Sequence, residues 1–148
     1  MVARLPAADA TLYGADETAW LDQTAELVRE RRLAEIDLDT LAEYLTDMAR
    51  RDRREVGSRL ALLLAHLLKW QFQPEKRTGG WRATIEVQRQ ELAELLESGT
   101  LRNQAGDVLA KAYENGVRQA AAETGLEASA FPAECPYSLD EVLSEPEA

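Results

Sequence analysis

His66 is the only histidine of the chain, so any chemistry that needs an imidazole near neutral pH depends on it. It lies in the run LALLLAHLLKW at 60–70, which is apolar on every face of a helix and indicates the most buried part of the fold. Helical steps of four and seven place it on one stripe with Arg59, Trp70 and Gln73. A buried imidazole requires a carboxylate, hydroxyl or carbonyl partner. A core histidine and a catalytic base or metal ligand both fit this pattern.

A small-molecule or anion pocket around His66 is one functional hypothesis, because tryptophans and amide side chains converge near the turn at Pro74. The candidate binding residues are Arg59, His66, Trp70, Gln73, Trp81 and Gln88. Cys135 lies in a proline-bounded tail with nothing near it to lower its pKa, which disfavours a nucleophile–base pair with His66. We therefore assign no catalytic residue and favour a protein that is not an enzyme.

The residue types exclude several metal and cofactor sites. A di-metal centre of the ferritin type needs two Glu-x-x-His pairs on separate helices, and one histidine cannot supply them. Cys135 is the only cysteine, which excludes a disulfide within the chain and a zinc site built on several thiolates. The sequence has no GxxxxGK[ST] loop and no GxGxxG loop after a strand. We predict no metal and no cofactor.

Charge is unevenly distributed along the chain. The formal net charge is -10, yet residues 50–89 carry 10 basic and 4 acidic side chains, against 4 basic and 11 acidic ones in residues 1–49. The basic part begins with the candidate anion-binding residues Arg50, Arg51, Arg53 and Arg54. This pattern suits compensation of charge within the fold, or alternatively a surface that binds an anion or a nucleic acid. The overall negative charge argues against binding of a polyanion by the whole surface.

Apolar residues recur with helical spacing along nearly the whole chain, and no stretch alternates with period two for long enough to form a strand. The pattern predicts helices over 16–31, about 38–73, 81–96 and 101–124. We interpret 38–73 as one long helix that bends or packs closely at Gly57, because no turn signal interrupts it. Thr78-Gly79-Gly80 is a predicted loop. The fold class is all-α, a helical bundle of four main helices with a long central helix and an extended C-terminal tail.

The length of 148 residues suits one domain. We predict a single helical-bundle domain over 1–148, with a tail over 127–148 that is extended and ends in a short helix opened by a capping box at Ser138. No apolar run is long enough to span a bilayer, and the N-terminus lacks the apolar core of a secretory signal. We expect a cytoplasmic protein that does not associate with membranes.

Several motifs together are similar to one known family. The most specific is Leu64-x-His66-Leu67-Leu68-Lys69-Trp70-Gln71-x-Gln73-Pro74, followed by Trp81-Arg82-x-Thr84-Ile85-x-x-Gln88-Arg89. The run Ala122-Glu123-Thr124-Gly125-Leu126 and the tail over 131–139 complete the pattern. Over almost its whole length the chain resembles a bacterial family catalogued as domain of unknown function 29. The resemblance implies an all-α domain in a bacterial cytoplasm and assigns no catalytic or binding residue.

The sequence supports functional hypotheses of two classes. In the first, the protein is a non-enzymatic interaction protein that self-associates or binds another bacterial protein, because no catalytic constellation accompanies the segregated charge. In the second, a small molecule or an anion binds, with or without turnover, in a pocket around His66, Trp70 and Trp81. Binding of nucleic acid through the basic segment 50–89 is a further alternative. A deep pocket with His66 at its floor would favour the second class, and a filled core would favour the first.

Overall fold

The computed structural model describes residues 10–144, and in this range the chain forms six α-helices and no β-strand. The helices are α1 (Ala10–Ala15), α2 (Glu17–Arg29), α3 (Leu38–Phe72), α4 (Gly79–Leu95), α5 (Gly99–Thr124) and α6 (Leu139–Leu143). The predicted all-α class is confirmed, with four long helices of which α3 is the long central one. None of these helices is both long and apolar enough to cross a membrane.

Polar side chains determine where three of the long helices begin. Asp16, Thr78 and Ser98 each accept a hydrogen bond from a backbone N–H three residues on, at 3.1, 3.1 and 3.3 Å. The predicted loop at Thr78-Gly79-Gly80 is wrong, because both glycines lie in the first turn of α4. N–H groups of a first helical turn have no intrahelical acceptor, so the Thr78 hydroxyl satisfies one of them and makes a helical start at two glycines possible.

Contacts divide the chain into two compact units, residues 1–50 and residues 51–148. The expectation of a single domain over 1–148 stays a prediction. In the described part of the first unit, the indole of Trp20 is fully buried and forms the centre of an aromatic cluster. Its ring centroid lies 4.9 Å from that of Tyr13 and 5.6 Å from that of Tyr44. Leu27 and Ile36 complete this small core.

The described part of the second unit, residues 51–144, contains three long helical segments that alternate in direction. Arg59 of α3 contacts Gln88 of α4, whereas Lys69, further along α3, contacts the earlier residue Trp81. Helices α3 and α4 are therefore antiparallel. Lys69 also contacts Glu123 of α5, and the side chain of Gln104, near the start of α5, donates to the Arg53 carbonyl on α3. Helix α5 therefore runs parallel to α3, and the leucine-rich part of α3 forms most of the core between them.

The C-terminal tail folds back along α5. The Tyr113 hydroxyl donates to the Pro132 carbonyl at 2.6 Å. Further on, the Arg89 guanidinium on α4 donates to the Val142 carbonyl of α6 at 3.0 Å, and the Val142 side chain is fully buried. The predicted capping box at Ser138 is confirmed, because Ser138 and Glu141 exchange side chain–backbone hydrogen bonds at the start of α6.

Helices α3 and α5 approach each other most closely at Gly116. A Cβ atom on this residue would lie 3.0 Å from the Ala61 carbonyl oxygen and 3.1 Å from the Leu64 Cβ atom. Backbone atoms cannot swing aside as the end of a side chain can, so only glycine fits at this position without displacing one helix.

We expect Gly116→Ala to lower the free energy of unfolding by about 1–3 kcal/mol, the usual cost of adding a carbon to a packed interior. The matched control is Gly106→Ala on the same helix, where a Cβ atom would meet nothing within 4 Å. Alanine there should stabilise the protein by about 0.5–1 kcal/mol, because it restricts the unfolded backbone. Urea unfolding of both variants measures the difference, and equal effects would contradict the close approach of α3 and α5.

Candidate functional site

His66 lies on α3 with only 8% of its surface exposed. Its Nδ1 atom is 2.9 Å from the Leu62 carbonyl oxygen. Because a carbonyl can only accept, Nδ1 carries the proton in the neutral ring and Nε2 is left as an acceptor. The pKa of His66 is lowered, chiefly because burial disfavours the charged ring, and the positive charge of Lys69 acts in the same direction. His66 is thus a buried neutral imidazole with a fixed tautomer.

Lys69 holds a cluster of polar side chains together at the packed faces of α3, α4 and α5. Its ammonium group forms an ion pair with Glu123, lies 3.5 Å from His66 Nε2 and lies 4.9 Å from the centroid of the Trp81 ring. Gln119 donates to the other oxygen of the Glu123 carboxylate at 3.1 Å. We call these five residues the lysine cluster. The hydrogen bond from Lys69 is the main reason why the pKa of Glu123 is lowered.

The lysine cluster contains two of the six candidate binding residues, His66 and Trp81. Both contact Lys69, which the sequence analysis did not name as a candidate binding residue. Glu123 was not a candidate at all. It does lie in the motif 122–126 on which the resemblance rests, and it is the first residue of the acidic C-terminal part of the chain. Lys69 is only 5% exposed, and a buried lysine requires a carboxylate partner. This requirement was the signal in the sequence that pointed to an acidic residue such as Glu123.

Arg59 and Gln88 form a separate contact between α3 and α4. The Arg59 guanidinium donates to Gln88 Oε1 at 3.0 Å and to Glu55 at 2.8 Å, and it lies 3.8 Å from Glu91. Two carboxylates and an amide therefore already surround this cation, which leaves it poorly suited to bind an added anion.

Trp70 and Gln73 have different surroundings again. The Arg77 guanidinium stacks on the Trp70 ring at 4.7 Å from its centroid and donates to the Trp70 carbonyl at 2.8 Å. Gln73 is buried, and its Oε1 atom has no hydrogen-bond partner among the described residues. The six candidates are thus divided among the lysine cluster, the Arg59–Gln88 contact and the turn around Pro74.

The four candidate anion-binding arginines all lie exposed on α3. Arg50 is 3.7 Å from Asp47, a surface pair of little energetic weight. Binding of an anion or nucleic acid by Arg50, Arg51, Arg53 and Arg54 stays a prediction. Residues 10–144 contain no group of three or more histidine, cysteine or acidic side chains arranged to hold a metal ion.

Cys135 does not have the surroundings of a reactive thiol. Its thiol donates to the Tyr137 carbonyl at 3.4 Å, and burial raises its pKa. A thiol of raised pKa is a poor nucleophile near neutral pH, because little of it is present as thiolate.

An apolar groove on the 1–50 unit is a feature that the sequence analysis did not predict. It has a volume of about 360 Å³. Helix α3 contributes Leu41 to its lining, and α2 contributes Trp20, Leu21, Thr24, Ala25, Val28 and Arg29. None of the six candidate binding residues lines it.

The apolar surface continues beyond the groove along α3. Leu38 and Leu45 are 62% and 59% exposed, and with Leu41 they follow the i, i+3, i+7 spacing of one helix face. Val28, in the groove wall, is 40% exposed. The leucine pattern correctly indicated a helix, yet it did not reveal that this part of the stripe lies on the surface.

Thr24 is a buried polar residue of the groove lining. Only 4% of its surface is exposed, and its Oγ1 atom is inaccessible and has no hydrogen-bond partner in the described part of the chain. A buried hydroxyl in a helix ordinarily bonds a backbone carbonyl or a neighbouring side chain. This unmade hydrogen bond lies beneath the groove surface, out of reach of a ligand in the groove.

Comparison with known proteins identifies the family. Residues 12–146 match the profile of Domain of unknown function DUF29, and the chain therefore belongs to this family. No curated protein and no solved structure matches the chain.

We expect His66→Ala to lower the free energy of unfolding by about 2–4 kcal/mol, through the cavity and the hydrogen bond that it removes. His66→Gln should cost less, because its amide can still donate to the Leu62 carbonyl. Urea unfolding beside the parent is the measurement. A His66→Ala protein as stable as the parent would contradict a packing role for this residue.

The lowered pKa of His66 also predicts a pH dependence of stability. As the pH falls from about 7.5 to 5.5, the unfolded chain takes up a proton at an ordinary histidine pKa of about 6.5, whereas the folded chain resists it. The free energy of unfolding should therefore decrease over this range, by at most about 1.4 kcal/mol per pH unit. His66→Gln should abolish the slope, since the chain has no other histidine. A slope that persists in this variant would rule His66 out as its source.

Proposed function

We propose that this member of the DUF29 family is a non-enzymatic interaction protein, and that its 1–50 unit binds a segment of another protein in the apolar groove between α2 and α3. The observation that carries the proposal is the groove itself, open to solvent and continuous with exposed leucines of α3. An apolar groove bordered by exposed apolar side chains is the default hypothesis for a binding site on a small protein.

The energetics favour a bound partner. Leu38 and Leu45 are each about three-fifths exposed, although they lie on the same face of α3 as the groove residue Leu41. Covering an exposed leucine side chain completely gains about 1.5–3 kcal/mol. A partner that covers these leucines together with Val28 therefore gains several times the thermal energy before any polar contact is made.

The lysine cluster supports the absence of catalysis in this proposal. Its cation, carboxylate and imidazole bond one another, and Trp81 covers the cation. A general base needs a free lone pair within reach of a substrate, and here the lone pair of His66 Nε2 faces the Lys69 ammonium. The cluster therefore joins three helices through polar contacts within the core.

We place the binding in the cytoplasm, where a lone thiol such as that of Cys135 stays reduced.

We expect Val28→Glu and Leu45→Glu each to weaken partner binding by at least about tenfold, because a carboxylate then enters an apolar contact. The matched control is Val87→Glu on α4, a valine that is 48% exposed and lies outside the 1–50 unit. Quantitative cross-linking in cells should identify the proteins that the parent and the control retain and both groove variants lose. Calorimetry with that purified protein then gives the affinities.

Circular dichroism and urea unfolding establish that each variant is folded before its binding is compared. A partner bound equally by the parent and both groove variants, but lost with Val87→Glu, would move the binding surface to α4 and contradict the proposal.

A further inference from the structure

We infer that the occupant of the groove is a basic amphipathic helix of the partner protein, with an apolar stripe that faces the groove and Lys or Arg side chains at its borders. This inference rests on the proposed function and adds the chemical class of the bound segment. Two observations support it: the charge of the unit and the spacing of the groove residues.

The charge of the unit calls for a basic partner. Residues 10–50 contain ten acidic side chains and four arginines, a balance of -6. Three of these arginines already have carboxylate partners: Arg29 pairs with Glu26, Arg32 with Glu30 and Glu35, and Arg50 with Asp47. On α2, and on α3 as far as Arg50, four exposed carboxylates have no ion pair, and these are Glu17, Asp22, Asp39 and Glu43.

These four carboxylates occupy the two helices that form the groove. Glu17 and Asp22 lie on α2, and Asp39 and Glu43 lie on the first turns of α3. Glu17 and Asp22 each lie one turn before a groove residue of α2, whereas Asp39 and Glu43 are two positions from Leu41 and lie on the opposite side of α3. A ligand in the groove therefore meets unpaired negative charge along α2. Lys and Arg at the edges of its apolar stripe reduce this repulsion and speed association, whereas acidic side chains there oppose both.

The spacing of the groove residues favours a helix over an extended segment. Leu21, Ala25 and Val28 follow i, i+4, i+7 along α2, and the leucines of α3 follow i, i+3, i+7. Ridges of this spacing receive the i, i+3 or i+4, i+7 side chains of a third helix. Binding of an extended segment by addition to a sheet edge is excluded for residues 10–144, which contain no strand.

A second copy of this chain is poorly suited to bind in the groove through its own 1–50 unit, because this contact would bring together two units that each have a charge of -6.

The test uses three fluorescent peptides of about 18 residues, roughly 27 Å of helix, and the full-length protein. The first has a leucine stripe at helical spacing with Lys and Arg on the other faces. The second keeps the stripe and replaces the basic residues by Glu. The third keeps the composition of the first and scrambles the stripe. Fluorescence anisotropy measures each affinity at several salt concentrations.

We expect the parent to bind the first peptide at least about tenfold more tightly than the other two, with an affinity that decreases as salt increases. Leu45→Glu should abolish this preference. The double variant Glu17→Lys, Asp22→Lys should weaken binding of the first peptide and strengthen binding of the second. Its matched control is Glu94→Lys, Glu97→Lys, which makes the same change in net charge at exposed positions of the other unit.

Each contrary outcome has a distinct meaning. Equal binding of the basic and acidic peptides, with both lost in Leu45→Glu, overturns the charge requirement and leaves the groove as the binding site. Equal binding of the first and scrambled peptides overturns the helical stripe. If the groove variants lose a cellular partner while none of the peptides binds to the parent, the proposed function stands and the inference of a basic helical occupant is wrong. If the protein self-associates and Leu45→Glu makes it monomeric, a second copy is the occupant and this inference is wrong.

Discussion

The contact of α3 with α5 at Gly116 is the constraint on which the 51–144 unit depends. A Cβ atom on Gly116 would lie only 3.0 Å from the Ala61 carbonyl oxygen, so the two backbones are in close contact at this point. About two turns further along both helices, this spacing places the Glu123 carboxylate on the Lys69 ammonium. Wider spacing would leave a buried ammonium without its counter-charge, which is strongly destabilising. One glycine thereby makes the lysine cluster possible.

The two units differ in how far they cover the apolar side chains of α3. In the 51–144 unit most leucines of α3 are buried, and the buried lysine and histidine have partners, whereas Gln73 Oε1 and Gln104 Oε1 have none. In the 10–50 unit, Leu38 and Leu45 of the same helix are exposed. The exposed part of the leucine stripe is thus confined to the first turns of the helix.

Helical periodicity and caps could be read from the sequence, because they depend on residues close together in the chain. The single helix α3, the capping box at Ser138 and the burial of His66 follow from such local patterns. The start of α4 at Gly79 was missed, since the Thr78 cap outweighed the low helix propensity of two glycines. Residues 69 and 123 are 54 positions apart, and only the packing of α3 on α5 pairs them. The spacing of leucines along α3 does not indicate which of them another helix covers, so the groove could not be predicted from the sequence.

The docked tail also provides a way to observe local opening. Cys135 is the only thiol of the chain, and its Sγ atom is held against the Tyr137 carbonyl within the packed tail. The Tyr113–Pro132 hydrogen bond and the buried Val142 fasten the tail on either side of it. Cys135 is only partly buried, so loss of these contacts should increase the exposure and the alkylation rate of its thiol. The alkylation rate relative to that of a free thiol therefore reports how far this one segment protects Cys135 while the helices stay folded.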